Sequence, residues 1–334
     1  MFLESITYGK NIKSTSFINP LSYYYMTLGK FYLFIFQNYI WASTISMIAW
    51  FISFIYLYKS MKLLKFSSQN ILIAAVIFSF TPSIFVITST TLREVWQLLF
   101  VNIFVYLLIK IYLNQSKIFF PILFVSISSI ILFILHKALI LFGLYSLLLI
   151  FFIVYTKLKI KTVFHPFLII IILIPFFIFF YLFYNFYTVT GWSQLKKGIP
   201  LAIEQYQIGV INSSYSRSTY ISNVSIKNYI DLFIFIPISF LKYLFEPIFS
   251  LNKISSLKDL IALCENLVRF ILILLFFIKI KIKNLIFLYI FSMYLFLELI
   301  WSFGTVNWGT ALRHHIPSIG LLILCALHKK QIIN

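Results

Sequence analysis

The chain has four arginines, and their positions indicate where an anionic group could bind. They are Arg93, Arg217, Arg269 and Arg313, and every other basic residue among its 27 lysines and arginines is a lysine. The guanidinium of arginine is planar and always charged, so it can bind a phosphate group through two parallel hydrogen bonds. Lysine presents a point charge on a flexible stem, and in membrane proteins it mainly sets the orientation across the bilayer.

The segment 301–317, WSFGTVNWGTALRHHIP, is the richest in reactive side chains. Asn307 offers hydrogen bonds, Arg313 offers a phosphate-binding fork, and His314 and His315 follow it directly. The pKa of histidine lies near neutral pH, so His314 or His315 could accept a proton as a general base. Adjacent histidines point in different directions on a helix and no third ligand is evident, so we predict no metal site here.

Arg93 and Glu94 follow Pro82 and a run of serines and threonines, at the predicted start of a helix. The helix dipole favours Glu94 at this position and disfavours Arg93. A cation at a helix N-terminus is explained if an anion binds both to it and to the free N–H groups of the first turn. A local ion pair is the alternative, and Glu94 is also a reserve candidate for the general base.

Two further groups of basic residues are candidates for binding: one lies within an apolar run, and the other lies between tyrosines. His136 and Lys137 divide a long apolar run and therefore belong to a hairpin, where Lys137 either binds substrate or extends along the membrane interface. Arg217 lies between Tyr215 and Tyr220, an arrangement that suits a sugar phosphate because the rings can stack on the sugar. A solvated loop charge is the alternative for Arg217.

Arg269 differs from the other arginines because it lies inside an apolar run. Glu265 precedes it by four residues, so one helical turn brings the two side chains together. We predict an internal salt bridge between them, which removes Arg269 from the candidate binding residues.

The composition places these residues in an all-α membrane protein. Of the 334 residues, 62% are hydrophobic and only 10% are charged, and the mean hydropathy is +1.00, values outside the range of soluble globular domains. The formal net charge of +19 does not indicate nucleic-acid binding, because the lysines lie at the ends of apolar runs. Anionic lipid headgroups are the simpler partner for this charge.

The apolar runs predict a single integral membrane domain over residues 1–334. They are 37–58, 70–88, 95–112, 119–135, 138–154, 164–185, 262–280, 284–302 and 316–328. Runs of this length can cross a bilayer as helices, so we predict a polytopic bundle of about nine or ten transmembrane helices.

Clusters of lysines between the runs set the predicted topology. They lie at 59–65, 110–117, 157–161, 279–283 and 329–330, and the positive-inside rule assigns all of them to the cytoplasm. If 230–249 crossed the membrane, the lysine clusters at 279–283 and 329–330 would lie on the outer side. The cytoplasmic assignment therefore holds if 230–249 is a re-entrant or interfacial helix. Residues 186–261 then form one long external loop together with this helix. The N-terminal segment has no cleavable signal, and we expect either a missing preceding span or a partial first helix.

Several of these segments, taken in order, resemble bacterial Wzy-type O-antigen and capsule repeat-unit polymerases and related GT-C-like lipid-sugar glycosyltransferases. The similar segments are PSIFVITSTTLRE (82–94), LHKA (135–138), SRSTY (216–220), FEPIFS to LIALCENL (245–267) and NWGTALRHHIP (307–317). The last segment is the most specific. The hairpin carries His136 and Lys137 where an arginine is expected in such proteins.

The resemblance implies transfer of a glycan from a polyprenyl diphosphate to a sugar hydroxyl at the outer face of the bacterial cytoplasmic membrane, which would build an O-antigen or capsule polysaccharide. The predicted substrate-binding residues are Arg93, Lys137, Arg217, Arg313, Asn307, Tyr215 and Tyr220, and the predicted proton acceptor is His314, His315 or Glu94. We expect no metal or cofactor, since the arginines supply the charge stabilisation. Besides the lipid-linked glycan, membrane lipids and a chain-length regulator are the expected partners.

Three other functions stay open on the sequence. A glycosyltransferase with a polyprenyl-monophosphate sugar donor usually needs an acidic residue in its first outer loop, where Glu4 is the only candidate. A transporter or flippase of lipid-linked glycans would place charges near the membrane midplane on broken, repeated helices, and here only Arg269 and Glu298 are predicted to lie within a span. A structural membrane subunit is the third alternative.

Overall fold

The computed structural model describes residues 29–30, 38–90, 92–113, 119–157, 198–213, 218–221, 224–279 and 285–328. Within these ranges the regular elements are helices, and one isolated antiparallel bridge joins Thr219 to Asn307. The predicted all-α architecture is therefore confirmed.

Twelve α-helices lie in the described ranges. In chain order they are α1 (Tyr39–Leu63), α2 (Ser68–Phe80), α3 (Pro82–Ser89), α4 (Glu94–Tyr112), α5 (Phe119–Leu135), α6 (Leu139–Lys157), α7 (Ile199–Ser213), α8 (Tyr229–Phe245), α9 (Leu257–Lys279), α10 (Leu285–Ser302), α11 (Trp308–His315) and α12 (Ile319–Leu327). Short 3-10 helices follow α8, at Ile248–Lys253, and α11, at Ile316–Ser318.

The long apolar helices make this chain a membrane protein. Five stretches are long and apolar enough to cross a bilayer, namely α1, α4, α9, α10 and the continuous stretch Trp308–Leu327, and a sixth is present if the bent pair α2–α3 is one span. Two shorter apolar stretches lie within α5, at Phe120–Leu135, and within α6, at Leu139–Val154, and the predicted span 164–185 lies outside the described residues. The described part of the chain therefore accounts for five or six of the predicted spans, whose number of about nine or ten stays a prediction.

The last span lies at the centre of the bundle. Trp308–Leu327 is 83% buried within the protein, whereas the windows that qualify α1 and α9 as spans are 33% buried. Gly320 of α12 faces the Asn102 amide of α4 so closely that any Cβ would collide with it. Small residues allow this approach between membrane helices. Helix α12, which follows the segment with Arg313, His314 and His315, is thus packed closely against α4.

The break between α2 and α3 is closed by a carboxylate from a distant helix. The two helices meet at 53°, because Pro82 cannot continue α2 with a backbone N–H. Glu265 of α9 accepts hydrogen bonds from the Ser83 backbone N–H and from the Ser83 hydroxyl, both at 2.7 Å. Glu265 also lies 3.8 Å from the Arg269 guanidinium, so the predicted salt bridge is confirmed.

Helix α8 covers the segment predicted to be re-entrant or interfacial. It has 17 residues and begins with a capping box between Asn228 and Asp231. Its exposed side is an apolar stripe at helical spacing, formed by Ile230, Phe233, Ile234, Ile238 and Leu241. Such a stripe suits contact with lipid, and the placement of α8 relative to the bilayer stays a prediction.

Candidate functional site

The candidate site begins at the turn between α10 and α11. Asn307 caps α11 because its side-chain oxygen accepts a hydrogen bond from the Thr310 N–H at 2.8 Å, and the indole N–H of Trp308 reaches the Asp259 carboxylate at 3.3 Å. The Asn307 oxygen predicted to bind substrate is therefore used to start the helix. Helix α11 ends with Arg313, His314 and His315 in its last turn, where the dipole favours cations.

His314 is oriented by the Thr305 hydroxyl. Thr305 Oγ1 donates to the Trp301 carbonyl at 2.8 Å and lies 2.8 Å from His314 Nδ1. A hydroxyl has one proton to donate, and Thr305 donates it to Trp301, so Oγ1 must accept a hydrogen bond from the Nδ1–H of His314. In the neutral ring the other nitrogen, Nε2, then carries the lone pair. Among the described residues, Nε2 has no hydrogen-bond partner. The ring also stacks on the Trp301 indole at 4.2 Å between centroids, which holds it in one plane.

The hairpin between α5 and α6 brings His136 to the other side of Trp301. The two rings meet edge to face at 4.6 Å. The Ala138 N–H donates to His136 Nδ1 at 3.3 Å, which leaves the ring proton on Nε2. Burial, with the charges of Arg93 and Lys137, lowers the pKa of His136 to about 3. His136 is therefore a neutral donor at physiological pH.

Two arginines and a lysine lie near these rings: Arg93 and Lys137 act on His136, and Arg93 and Arg313 act on His314. Arg93 is half-buried before α4 and donates to the Leu135 carbonyl at 3.3 Å. Arg313 is also half-buried and has no ion pair within the described ranges. Arg93, Arg313 and His136 all lie close enough to His314 to act electrostatically on its ring. Burial lowers the pKa of Lys137 to about 8, so Lys137 is largely protonated at neutral pH.

We name this group the cationic cluster: Arg93, His136, Lys137, Arg313 and His314. Four of its members were predicted from the sequence as binding or catalytic residues, and the fold brings them together from three distant segments. Two other predicted residues, Tyr215 and Arg217, lie outside the described residues.

Glu94, the reserve candidate for the base, is the first residue of α4. It is 3% exposed, and its Oε2 has no hydrogen-bond partner within the described part of the chain. A carboxylate at a helix N-terminus is stabilised by the dipole. Both Glu94 and His314 are buried, and His314 differs from Glu94 in that the Thr305 hydroxyl orients its ring.

Tyr220 has a different position from the one predicted for a sugar-stacking ring. It is 5% exposed, and its hydroxyl donates to the Thr305 carbonyl at 2.9 Å. Its backbone N–H donates to the Val306 carbonyl at 2.9 Å, beside the bridge between Thr219 and Asn307. Burial raises the pKa of Tyr220 well above its usual value, as does the nearby Glu246 carboxylate. Tyr220 therefore anchors the loop to the turn that orients His314 and offers no free ring face.

His315, the other predicted base, has both ring nitrogens engaged. Nδ1 lies 2.5 Å from Glu298 Oε2 and Nε2 lies 3.2 Å from the Tyr243 carbonyl oxygen. The Ser318 hydroxyl donates to the second Glu298 oxygen. His315 is 2% exposed and Glu298 is fully buried. No nitrogen is left to accept a proton from a substrate, so between the two histidines the geometry favours His314. We name Glu298, His315, Ser318 and Tyr243 the buried cluster.

Tyr206 and Trp301 also border the site, and neither was among the site residues predicted from the sequence. Tyr206 lies on α7, whose Gln207 amide donates to the Phe303 carbonyl just after α10. Both residues are aromatic side chains among 40 phenylalanines, 22 tyrosines and 6 tryptophans, so residue type alone did not distinguish them. Their proximity to the cationic cluster depends on contacts between segments far apart in the sequence.

Known proteins give no family for this arrangement. No protein-family model matches the chain, and neither the curated proteins nor the solved structures contain a significant match. Within the described ranges, no three His, Cys, Asp or Glu side chains come together in a way that could hold a metal ion.

Proposed function

We propose that this protein is a membrane glycosyltransferase that polymerises polyprenyl-diphosphate-linked oligosaccharide repeat units into a surface polysaccharide. The cationic cluster is its active site, at the outer face of the bacterial cytoplasmic membrane. The observation that supports this most is His314: Thr305 orients it through Nδ1, its Nε2 has no hydrogen-bond partner among the described residues, and the charges of Arg93 and Arg313 lie near it in a membrane bundle. These groups match a reaction that needs one base and a stabilised anionic leaving group.

The proposed step is a direct displacement. The acceptor hydroxyl oxygen forms a bond to the anomeric carbon of the donor sugar, while the bond from that carbon to the diphosphate oxygen breaks. His314 Nε2 takes the hydroxyl proton, and the bonding electrons leave with the lipid diphosphate. Arg93, Arg313 and Lys137 stabilise the negative charge that develops on the diphosphate.

The contacts around His314 support its role as the base. Since Thr305 fixes Nδ1 as a donor, Nε2 is the nitrogen that can accept a proton. The Trp301 ring limits rotation of the imidazole. A base that is already oriented needs little reorganisation in the transition state. Arginine stays protonated at every pH at which the protein would work, so the positive charge next to the leaving group does not change with pH.

The test is a polymerisation assay with purified protein in liposomes that contain a polyprenyl-diphosphate oligosaccharide. Arg93→Ala and Arg313→Ala should each abolish the ladder of lengthened glycans on a gel, because each removes a charge from the leaving-group site. Lys110→Ala is the matched control: it removes a cation from the opposite end of α4, where Lys110 lies over the Tyr106 ring. Normal glycan length in both arginine variants would contradict the proposal.

A second function, transport of lipid-linked glycans, is favoured by two separate observations. The α2–α3 pair is bent by 53° at Pro82, and Arg269 and Glu298 are buried within spans. Broken helices and buried charges are features of transporters. The same liposomes separate the two functions: movement of a labelled lipid-linked glycan across the bilayer without lengthening would support transport over polymerisation.

A further inference from the structure

Tyr206 is placed beside the cationic cluster by its neighbour in the sequence. Gln207 is fully buried, and its amide donates to the Phe303 carbonyl at the end of α10. This contact ties α7 to the turn that leads to Thr305 and His314. Successive residues on a helix point about 100° apart, so Tyr206 leaves the helix in a different direction from Gln207 and is 51% exposed.

Gly304 allows the Tyr206 hydroxyl to lie against that turn. A Cβ at Gly304 would be 3.3 Å from the Tyr206 hydroxyl oxygen and 3.7 Å from the nearest ring carbon. The φ angle of Gly304 is not in the left-handed region, so the backbone itself does not require glycine here. The close approach of Tyr206 is the contact that favours the absence of a side chain.

The Tyr206 ring also lies within the field of Arg93. Burial of its hydroxyl end raises the pKa of Tyr206, and the positive charge of Arg93 acts in the opposite direction. The same arginine acts on His136 and His314. The hydroxyl end is therefore packed against the turn, while half of the Tyr206 surface is exposed.

We propose that Tyr206 contacts the donor sugar: its exposed ring stacks on the sugar attached to the diphosphate that Arg93 holds. This proposal rests on the proposed function. An aromatic ring offers a rigid apolar face with a polar end, which suits the apolar face of a sugar ring. The sugar is bonded directly to the diphosphate, so a residue beside the diphosphate-binding arginine is within its reach. The contact assigns to Tyr206 the role that the sequence suggested for Tyr220.

The test compares two ligands that differ only in the sugar. One is polyprenyl diphosphate that carries the oligosaccharide, and the other is polyprenyl diphosphate alone. Tyr206→Ala should raise KM and Kd for the glycan-bearing lipid roughly threefold to tenfold, the range expected for loss of one aromatic packing contact. Its affinity for the sugar-free lipid diphosphate should be unchanged.

Three further variants sharpen the result. Tyr206→Phe keeps the ring and should remain within about twofold of the wild type. Gly304→Ala should give an intermediate loss, because the new Cβ displaces the ring end. Ile208→Ala is the matched control, since Ile208 is a 40% exposed apolar residue of the same helix, and it should leave both affinities unchanged.

Equal weakening of both ligands by Tyr206→Ala, or equal effects of Tyr206→Ala and Ile208→Ala, would overturn the sugar contact. These outcomes are separate from failure of the proposed function. If Arg93→Ala abolishes glycan lengthening while Tyr206→Ala changes no KM, only the Tyr206 proposal is wrong. If the wild-type protein neither lengthens glycans nor binds polyprenyl diphosphate, the proposed function is wrong as well.

Discussion

His314 and His315 are neighbours in the sequence but lie in opposite environments. His314 has one nitrogen oriented by Thr305, and its Nε2 has no partner among the described residues. His315 has both nitrogens engaged, by Glu298 and by the Tyr243 carbonyl. One step along a helix rotates a side chain by about 100°, which is enough to turn one ring towards the cationic cluster and the other into the core. Identical residues at adjacent positions can thus divide into a chemical and a structural role.

The buried cluster is arranged so that its polar groups have partners. Nδ1 of His315 lies against Glu298, Nε2 lies against the Tyr243 carbonyl oxygen, and the other Glu298 oxygen accepts from Ser318. These contacts lower the cost of burying the histidine and the carboxyl group. The cluster joins α10 to the start of α12 and to the C-terminal part of α8. The cationic cluster has an excess of positive charge, which favours binding of an anion.

The largest expected effect is on catalysis at His314. His314→Asn keeps an N–H group near Thr305 and removes the proton-accepting nitrogen, so polymerisation should slow by roughly 10²- to 10⁴-fold. The temperature of thermal unfolding in detergent should fall slightly, because the ring stacking on Trp301 is lost while no hydrogen bond of Nε2 within the described part of the chain is broken, so both proteins are assayed well below that temperature. Retention of full activity would show that another group, with Glu94 as the first candidate, is the base.

The second effect is on stability at Glu298. Glu298→Ala leaves His315 and Ser318 buried without their acceptor, so the protein should lose about 3–5 kcal/mol of stability. The measurement is thermal or denaturant unfolding in detergent, with Glu298→Gln as the control because it keeps an acceptor for Ser318. If Glu298→Ala instead unfolds like the wild type but is inactive, Glu298 acts in the reaction and the division between the two clusters is wrong.

A smaller effect is expected at Thr305, which orients His314. Thr305→Val keeps the shape of the side chain and removes the hydroxyl, so kcat should fall roughly fivefold, equivalent to about 1 kcal/mol for one hydrogen bond. Thr305→Ser should restore the activity. The acidic limb of the pH–rate profile should shift in Thr305→Val only, since a purely structural defect would lower the rate equally at every pH.

The smallest effect concerns pH and Lys137. The pKa of Lys137 is lowered to about 8, so its positive charge is present below this pH and is lost as the pH rises through it. KM for the lipid diphosphate should therefore increase severalfold above about pH 8, as a charge-assisted hydrogen bond is lost. Lys137→Arg should remove this pH dependence, because arginine stays protonated. An unchanged profile in Lys137→Arg would exclude Lys137 from anion binding.

Much of the fold could be predicted from local features of the sequence. The length and hydropathy of the runs 37–58, 95–112 and 284–302 were enough to predict α1, α4 and α10. The salt bridge between Glu265 and Arg269 was also predictable from local sequence, because residues four apart on one helix are neighbours. The clustering of Arg93 and Arg313 was anticipated only through a topology drawn from lysine positions.

The hydrogen-bond partners and the burial of the site residues depend on contacts between distant segments, which the sequence did not predict. Glu265 accepts from Ser83 across 182 residues, and Glu298 meets His315 across 17 residues and a change of helix. The burial of Tyr220 and the exposure of Tyr206 likewise follow from how α7 and residues 218–221 pack on the turn 303–307.

The sequence by itself therefore determined that the chain is an all-α membrane protein with arginines and histidines at the ends of its helices. Only the tertiary structure decided that His314 faces the cationic cluster while His315 is buried against Glu298. The physical reason is that the bilayer selects helices by length and apolar content, which are local properties. The direction in which each side chain points depends on how a helix is rotated about its axis, and the packing of its neighbours sets that rotation.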